Sequence, residues 1–398
     1  MQWRILKMIE LQDIFEQFAS EYIKNHNLPV NQLKVISAIE FCRTAKLGGH
    51  VDECDSCGHT RISYNSCRNR HCPKCQTLAK EKWLLDRRDD LLPVGYFHIV
   101  FTLPDSLNPI IIWNQEVMYS ILFQATSETL QELSKDPKFL GAQIGFTTIL
   151  HTWGQNLMLH PHTHNIVPAG GLSLDGTQWI NSRKKFFIPV KVLSRKFRGK
   201  FISLMKKAYY SNKLKFSSEI ENLQQESEFE TFIEPQYKKE WVVFCKPPFK
   251  TPEHVLQYLG RYTHRVAISN SRIVSLENGQ VTFKWKDYRE KGKNKLMTLD
   301  VHEFIRRFLL HVLPSKFVKI RHYGILSNRN RHTKLTICKG LLNVPANINV
   351  PSWKELNTVD LIKELFGIDI TLCPHCGKGK MVTTHKLDAN NHHPPVNP

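Results

Sequence analysis

This sequence is short of acid. Against 55 lysines and arginines it sets 36 aspartates and glutamates, which leaves a formal net charge of +19. Such a surplus argues for a polyanionic partner, because each neutralised phosphate releases condensed counterions. Long apolar runs are also missing. No stretch approaches the ~18 consecutive apolar residues of a membrane span, so a membrane partner is excluded. The opening "MQWRILKMIELQDIFEQF" has acids at amphipathic spacing where a signal peptide would have an apolar core. A cytoplasmic protein is expected, and in that compartment thiols stay reduced. There is no GxxxxGK[ST] phosphate loop and no internal repeat, so nucleotide-driven strand separation is not built in.

What is present begins with enough chain, 398 residues, for two or three compact units. Apolar spacing predicts helices over 9–24 and 33–44, then a cysteine-rich loop region over 50–76 and a charged helix. Pro93 and Gly95 mark a boundary, beyond which "YFHIVFTLP" reads as the first strand of a new domain. Residues 110–134 read as helix, 144–152 and 158–168 as paired strands, and "EWVVFCKPPF" as another strand. A helix opens at Pro252, "ENGQ" turns a hairpin, and "VHEFIRRFLLHVL" is an amphipathic helix. The expected division is a helical lead-in with a zinc-binding domain over 1–92, a catalytic domain over 93–345 and a tail over 346–398. The tail ends in a His- and Pro-rich piece whose composition predicts disorder.

Ten cysteines in a reducing compartment point to metal where they cluster. The stretch "HVDECDSCGHTRISYNSCRNRHCPKCQ" holds Cys54-x2-Cys57, Cys67 and Cys72-x2-Cys75. Thiolates two residues apart on a tight knuckle face one tetrahedral ion, so the two pairs are expected to close a structural Zn2+ site. Cys67 and His71 compete for one place in the second pair or help to hold a second ion. Four thiolates leave no open position, which makes catalysis by this ion unexpected. Arg68 and Arg70 in "CRNRHC" are expected to touch phosphate. A lone "CPHC" from Cys373 is half a zinc ribbon; its open partners are His385 or none.

Basic residues alternate with aromatics in "SRKKFFIPVKVLSRKFRGKFISLMKKAYY", which contains Lys184 and Lys185, and in "FKWKDYREKGKNK". Cationic grooves with stacking rings suit single-stranded nucleic acid. In "LHTWGQNLMLHPHTHNIVPAGG", His160, His162 and His164 occupy alternate positions, and a strand places alternate side chains on one face. Two imidazoles at that spacing share a divalent ion if a neighbouring element supplies a third ligand, and His151 does so if its strand pairs antiparallel. In "PEHVLQYLGRYTHR", Tyr258 and Tyr262 leave the same helix face among His254, Gln257, Arg261, His264 and Arg265. Phenols with cationic neighbours are competent nucleophiles toward a phosphodiester.

A paired "HTH" on a strand followed by "YLGRY" on a helix resembles the two-tyrosine HUH endonucleases, named for His-hydrophobic-His. The wider strings "SCRNRHCPKCQ", "LHTWGQNLMLHPHTHNIVPAGGLS" and "YLGRYTHR" resemble the rolling-circle transposases of the IS91 family of bacterial insertion sequences. The resemblance covers roughly residues 35–335. It implies His162 and His164 as metal ligands for Mg2+ or Mn2+ and Tyr258 and Tyr262 as nucleophiles. Thr163 departs from the hydrophobic middle residue but is still β-branched. For the third ligand, His151 has the separation seen in conjugative relaxases, Gln257 competes, and His160 stands behind.

The implied chemistry is nicking and rejoining of single-stranded DNA through a 5′-phosphotyrosine, with a host helicase or the replication machinery separating strands. The fold that fits is α+β: a central antiparallel sheet of HUH-endonuclease type with flanking helices, plus a small N-terminal zinc-binding module. Arg261 and Arg265 belong to the expected DNA contacts, with Lys184, Lys185, Arg68 and Arg70. Two readings stay open beside this one: a non-catalytic zinc-dependent DNA-binding protein, and a plasmid replication initiator or relaxase with the same chemistry.

Overall fold

The computed structural model describes residues 8–182, 187–249, 252–345 and 353–389, without the side chains of 248, 249, 252, 253, 257, 261 and 289. It is a mixed α/β chain with antiparallel sheets and divides into two compact units that interleave in sequence. One unit comprises 1–85, 268–306 and 347–398; the other comprises 86–267 and 307–346. The three consecutive segments expected from the sequence are thus regrouped. The hairpin region after 267 and the tail both group with the N-terminal cysteine region. The His- and Pro-rich end lies outside the described residues.

The second unit is built on a five-stranded antiparallel sheet in the order Ile320–Gly324, Gly145–Trp153, Leu159–Pro168, Tyr96–Thr102, Val243–Phe249. The strand Leu159–Pro168, the histidine strand, is therefore central and hydrogen-bonded on both sides. Strand alternation gives its two faces different jobs. Phe97, Ile99, Phe101 and Val167 enter the hydrophobic core with the helices Gln115–Lys135 and Val190–Tyr210, Phe101 packing 4.8 Å from Phe197. Thr163 belongs to that side: fully buried, its Oγ1 lies 3.3 Å from that of Thr126 on the long helix. A threonine between two histidines is thereby accommodated in the core. The opposite face carries His162 and His164.

The helix Val190–Tyr210 corrects one expectation. Two of the aromatics read there as stacking platforms, Phe197 and Phe201, are buried core residues, each stabilising the fold by about 1.5–3 kcal/mol. Tyr210, by contrast, is exposed, and its hydroxyl hydrogen-bonds Glu226 and Glu230. The lysines between them pair along the outer side, Lys196 and Lys200 with Glu132 and Lys206 with Glu230. Basic and aromatic residues alternate here because the helix is amphipathic. Lys184 and Lys185 lie outside the described residues.

In the first unit the helices Leu11–Asn25 and Val30–Glu40 bury Leu11, Ile14, Phe15, Ile36 and Ile39. A three-stranded sheet runs in the order Met381–Leu387, Gly49–Cys54, Thr60–Tyr64, so the tail strand lies directly beside the cysteine-rich hairpin. The expected hairpin turns at Asn278 and Gly279, both at positive φ (50° and 71°) as a tight hairpin turn requires. Among the described residues no helix is long and apolar enough to cross a membrane.

Candidate functional site

Antiparallel pairing places His151 directly opposite His162, with His164 two residues along the same face. One ring nitrogen from each of the three lies within 4.8 Å of the other two, a separation that permits all three to bind one ion. Each ring also has one nitrogen engaged in a hydrogen bond. His151 Nε2 donates to the Tyr262 carbonyl at 2.7 Å, His162 Nδ1 donates to the His160 carbonyl at 2.6 Å, and His164 Nδ1 lies 2.8 Å from His98 Nε2. Outer hydrogen bonds of this kind fix the tautomer and turn a lone pair toward a metal. His160, one step along the strand, is outside the triad; its Nδ1 lies 3.6 Å from Asp105.

Burial holds these rings neutral. Loss of solvation, reinforced by the neighbouring imidazoles and Arg265, pushes His151 and His164 well below the usual imidazole range. His162 is brought down to about 4, again chiefly by burial. Neutral, preoriented imidazoles are the form that ligates a divalent cation, so the three rings fit one such ion in charge state as well as spacing.

The helix Pro252–Tyr262 lies over this face. Its two phenols, one turn apart, stack on each other at 4.4 Å and reach the histidines: Tyr262 sits 4.4 Å from His164 and 5.8 Å from His151, ring centre to ring centre. The Tyr258 hydroxyl lies 2.8 Å from His98 Nδ1. His98, on the adjoining strand, therefore bridges a phenol and a triad histidine, and burial with Lys246 nearby lowers it to about 3. Arg265 and Lys319 contribute positive potential at His151 as well. The side chains of Gln257 and Arg261 lie outside those described.

Sequence reading missed His98 because a single histidine in "YFHIVFTLP" looks like any strand residue. Its alternation with Val100 and Thr102, which pair with His164 and His162, was the available signal. It also missed Lys246 and Lys319, which only the sheet brings near.

The cysteines group differently from expectation. Cys54 and Cys57 do not meet Cys72 and Cys75; the structure forms two tetrads, Cys42, Cys67, Cys72, Cys75 and Cys54, Cys57, Cys373, Cys376. The reason is geometric. The hairpin turns Cys54 and Cys57 toward the tail strand, while the knuckle Cys72–Cys75 folds back on the turn after Val30–Glu40, where Cys42 is buried. In the first tetrad the sulfurs of Cys42 and Cys75, Cys67 and Cys75, and Cys72 and Cys42 are 3.5, 3.6 and 3.7 Å apart. Four thiolates about 2.3 Å from one zinc stand ~3.8 Å from each other, so the spacing fits that ion. Arg68 is exposed beside this knuckle, and Arg70 is half-buried. His385 lies in the tail strand opposite Val51 and belongs to neither tetrad.

Two family models match stretches of the chain that contain the histidine triad and the first cysteine tetrad. A family model described as "Transposase zinc-binding domain" matches residues 14–103, and one described as "Putative transposase" matches residues 145–334. The chain is 52% identical over 382 residues to a "Putative transposase y4qJ" of Sinorhizobium fredii, covering 95% of this chain and 96% of that one. It is 27% identical over 359 residues to the "Transposase for insertion sequence element IS801" of Pseudomonas savastanoi pv. phaseolicola, covering 89% of this chain and 83% of that one. No solved structure matches the chain.

Proposed function

The chain belongs to the IS91 family of transposases with an N-terminal zinc-binding domain, and from that premise we propose that it nicks and rejoins single-stranded DNA through a 5′-phosphotyrosine. The observation that supports this reading is the stack of two phenols on the histidine face, one of them hydrogen-bonded to His98. His151, His162 and His164 hold the divalent ion, which when bound polarises the scissile phosphate and offsets its transition-state charge. Tyr258 Oη attacks phosphorus in line, the P–O3′ bond breaks, and its electron pair leaves on the 3′ oxygen, which takes up a proton as a free 3′-OH.

The phenol's proton passes to solvent as the new P–O bond forms. His98, whose Nε2 accepts from His164 Nδ1–H, keeps a hydrogen on Nδ1 that donates to the Tyr258 oxygen and steadies its charge. Lys246, Arg265 and Lys319 attract the backbone and stabilise the charge developing on phosphorus. Rejoining is the reverse: a 3′-OH attacks the phosphotyrosine and returns the phenol. The covalent link conserves the phosphodiester energy, consistent with a chain that has no phosphate loop. Two phenols allow one strand end to be held while the second junction is cut. The Cys42, Cys67, Cys72, Cys75 tetrad holds structural Zn2+, worth on the order of 10 kcal/mol to its small module. Arg68 and Arg70 beside it, Lys184, Lys185 and Arg261 are proposed DNA contacts, and a host helicase is the proposed source of single strands.

The test is incubation of the full chain with single-stranded DNA from the ends of its own element plus Mg2+. A shifted protein–DNA band on a denaturing gel is expected; tight binding with no such band under any divalent ion would replace this reading with that of a non-catalytic DNA-binding protein. His98→Ala is expected to lower the single-turnover nicking rate about 10–100-fold with DNA affinity retained, as loss of a group that orients a ligand does. An unchanged rate would show that His98 only fills space.

A further inference from the structure

We propose that the chain carries a second structural zinc, held by Cys54 and Cys57 from the N-terminal hairpin together with Cys373 and Cys376 from the tail, which clasps the two ends of the sequence into one module. This site is independent of the nicking chemistry. The matched zinc-binding domain ends at 103, so the tail cysteines lie outside it.

Three observations carry the proposal. The first is sulfur geometry. Cys54 Sγ lies 3.7 Å from Cys376 Sγ and Cys57 Sγ lies 3.8 Å from Cys373 Sγ. These distances are far beyond a bonded sulfur pair and equal the ~3.8 Å edge of a zinc tetrathiolate. The second is the shape of the two knuckles. Each is a Cys-x2-Cys turn whose backbone N–H groups point at sulfur: Ser56 N–H to Cys54 at 3.4 Å and Gly379 N–H to Cys376 at 3.4 Å. Such bonds stabilise thiolates. The third is the fit between the halves. A Cβ on Gly379 would stand 2.4 Å from Cys54 Sγ and 2.6 Å from Ser56 Cβ, so only glycine lets the tail knuckle close on the hairpin knuckle.

The surrounding hydrogen bonds hold the same register. Asp55 N–H donates to the Lys380 carbonyl at 3.1 Å, and Lys380 N–H donates to Asp55 Oδ1 at 2.8 Å. From there Met381–Leu387 pairs along Gly49–Cys54. Thr383 donates to Asp52, a carboxylate also bonded by Arg61 at 3.0 Å. Met381–Leu387 is the largely exposed edge strand of its three-stranded sheet; a metal at one end pins its register. Cys57 is exposed, which gives the ion an entry path and gives the experiment a reporter.

The test uses the purified full chain. Zinc measured by mass spectrometry is expected at two ions per chain, falling to one in Cys373→Ser/Cys376→Ser and to one in Cys67→Ser/Cys75→Ser. Limited proteolysis is expected to release the tail from the first variant at least tenfold faster than from the parent. A parent with one ion, or a tail variant that keeps two, overturns the proposal. A second measurement needs no variant. In the zinc-loaded parent, Cys54, Cys57, Cys373 and Cys376 are expected to resist iodoacetamide together and to react together once a chelator removes the metal. Full-rate alkylation of exposed Cys57 in zinc-loaded protein would equally overturn it.

Discussion

With Tyr258 and Tyr262 both changed to phenylalanine, the chain is expected to form no covalent adduct with single-stranded DNA and to bind it as before. The phenyl rings keep the 4.4 Å stack and the burial of position 258, so the helix stays on the sheet. What is lost is a pair of oxygens, with the Tyr258 hydroxyl's contacts to His98, which costs about 1 kcal/mol of stability. Removing a nucleophile costs on the order of 10⁴-fold or more in rate. Tyr258→Phe alone is expected to cost more than Tyr262→Phe, since Tyr258 is the phenol that faces His98. Adduct yield on a denaturing gel, beside affinity from a mobility shift, checks this. Adduct formation at the parental rate in the double variant would place the nucleophile elsewhere.

The second large effect is expected from His162→Ala with His164→Ala. Both rings project from the face that carries the histidine triad, opposite the hydrophobic packing of Phe97, Ile99, Phe101 and Val167. Their removal leaves the main core intact. Two of the three proposed ligands disappear with them, and His151 alone is not expected to hold an ion. Losing about 4 kcal/mol of transition-state stabilisation lowers the nicking rate on the order of 10³-fold. The diagnostic is the dependence of that rate on Mg2+ or Mn2+ concentration, measured in folded protein. A variant that still nicks with the parental metal dependence would make the histidines structural.

The parts of this site that sequence made legible are those encoded over one or two turns of chain. Alternation announced His162 and His164 on one face, and a four-residue step announced Tyr258 and Tyr262, because strand and helix periods are local. That His151 joins the other two histidines followed once the two strands were taken as an antiparallel pair; the structure sets it opposite His162. The cysteines show where this stops. Each Cys-x2-Cys offers half a site, and no spacing tells which two halves share an ion. The expected partnership of Cys54 and Cys57 with Cys72 and Cys75 failed because sheet pairing across more than 300 residues, Glu53 with Val382, brings the tail to the hairpin. Cys42, alone in its stretch, carried no spacing signal. Lys196, Lys200 and Lys206 looked like a DNA grip until the acids of neighbouring helices were seen to meet them.

The most direct test of the account is to digest the protein–DNA adduct with protease and nuclease and find, by tandem mass spectrometry, the residue that keeps a nucleotide. A 5′-linked remnant on Tyr258 or Tyr262, lost when Mg2+ and Mn2+ are withheld, is the predicted result. A remnant on any other residue, or cleaved strands ending in plain 5′-phosphates with no linked peptide, would contradict it.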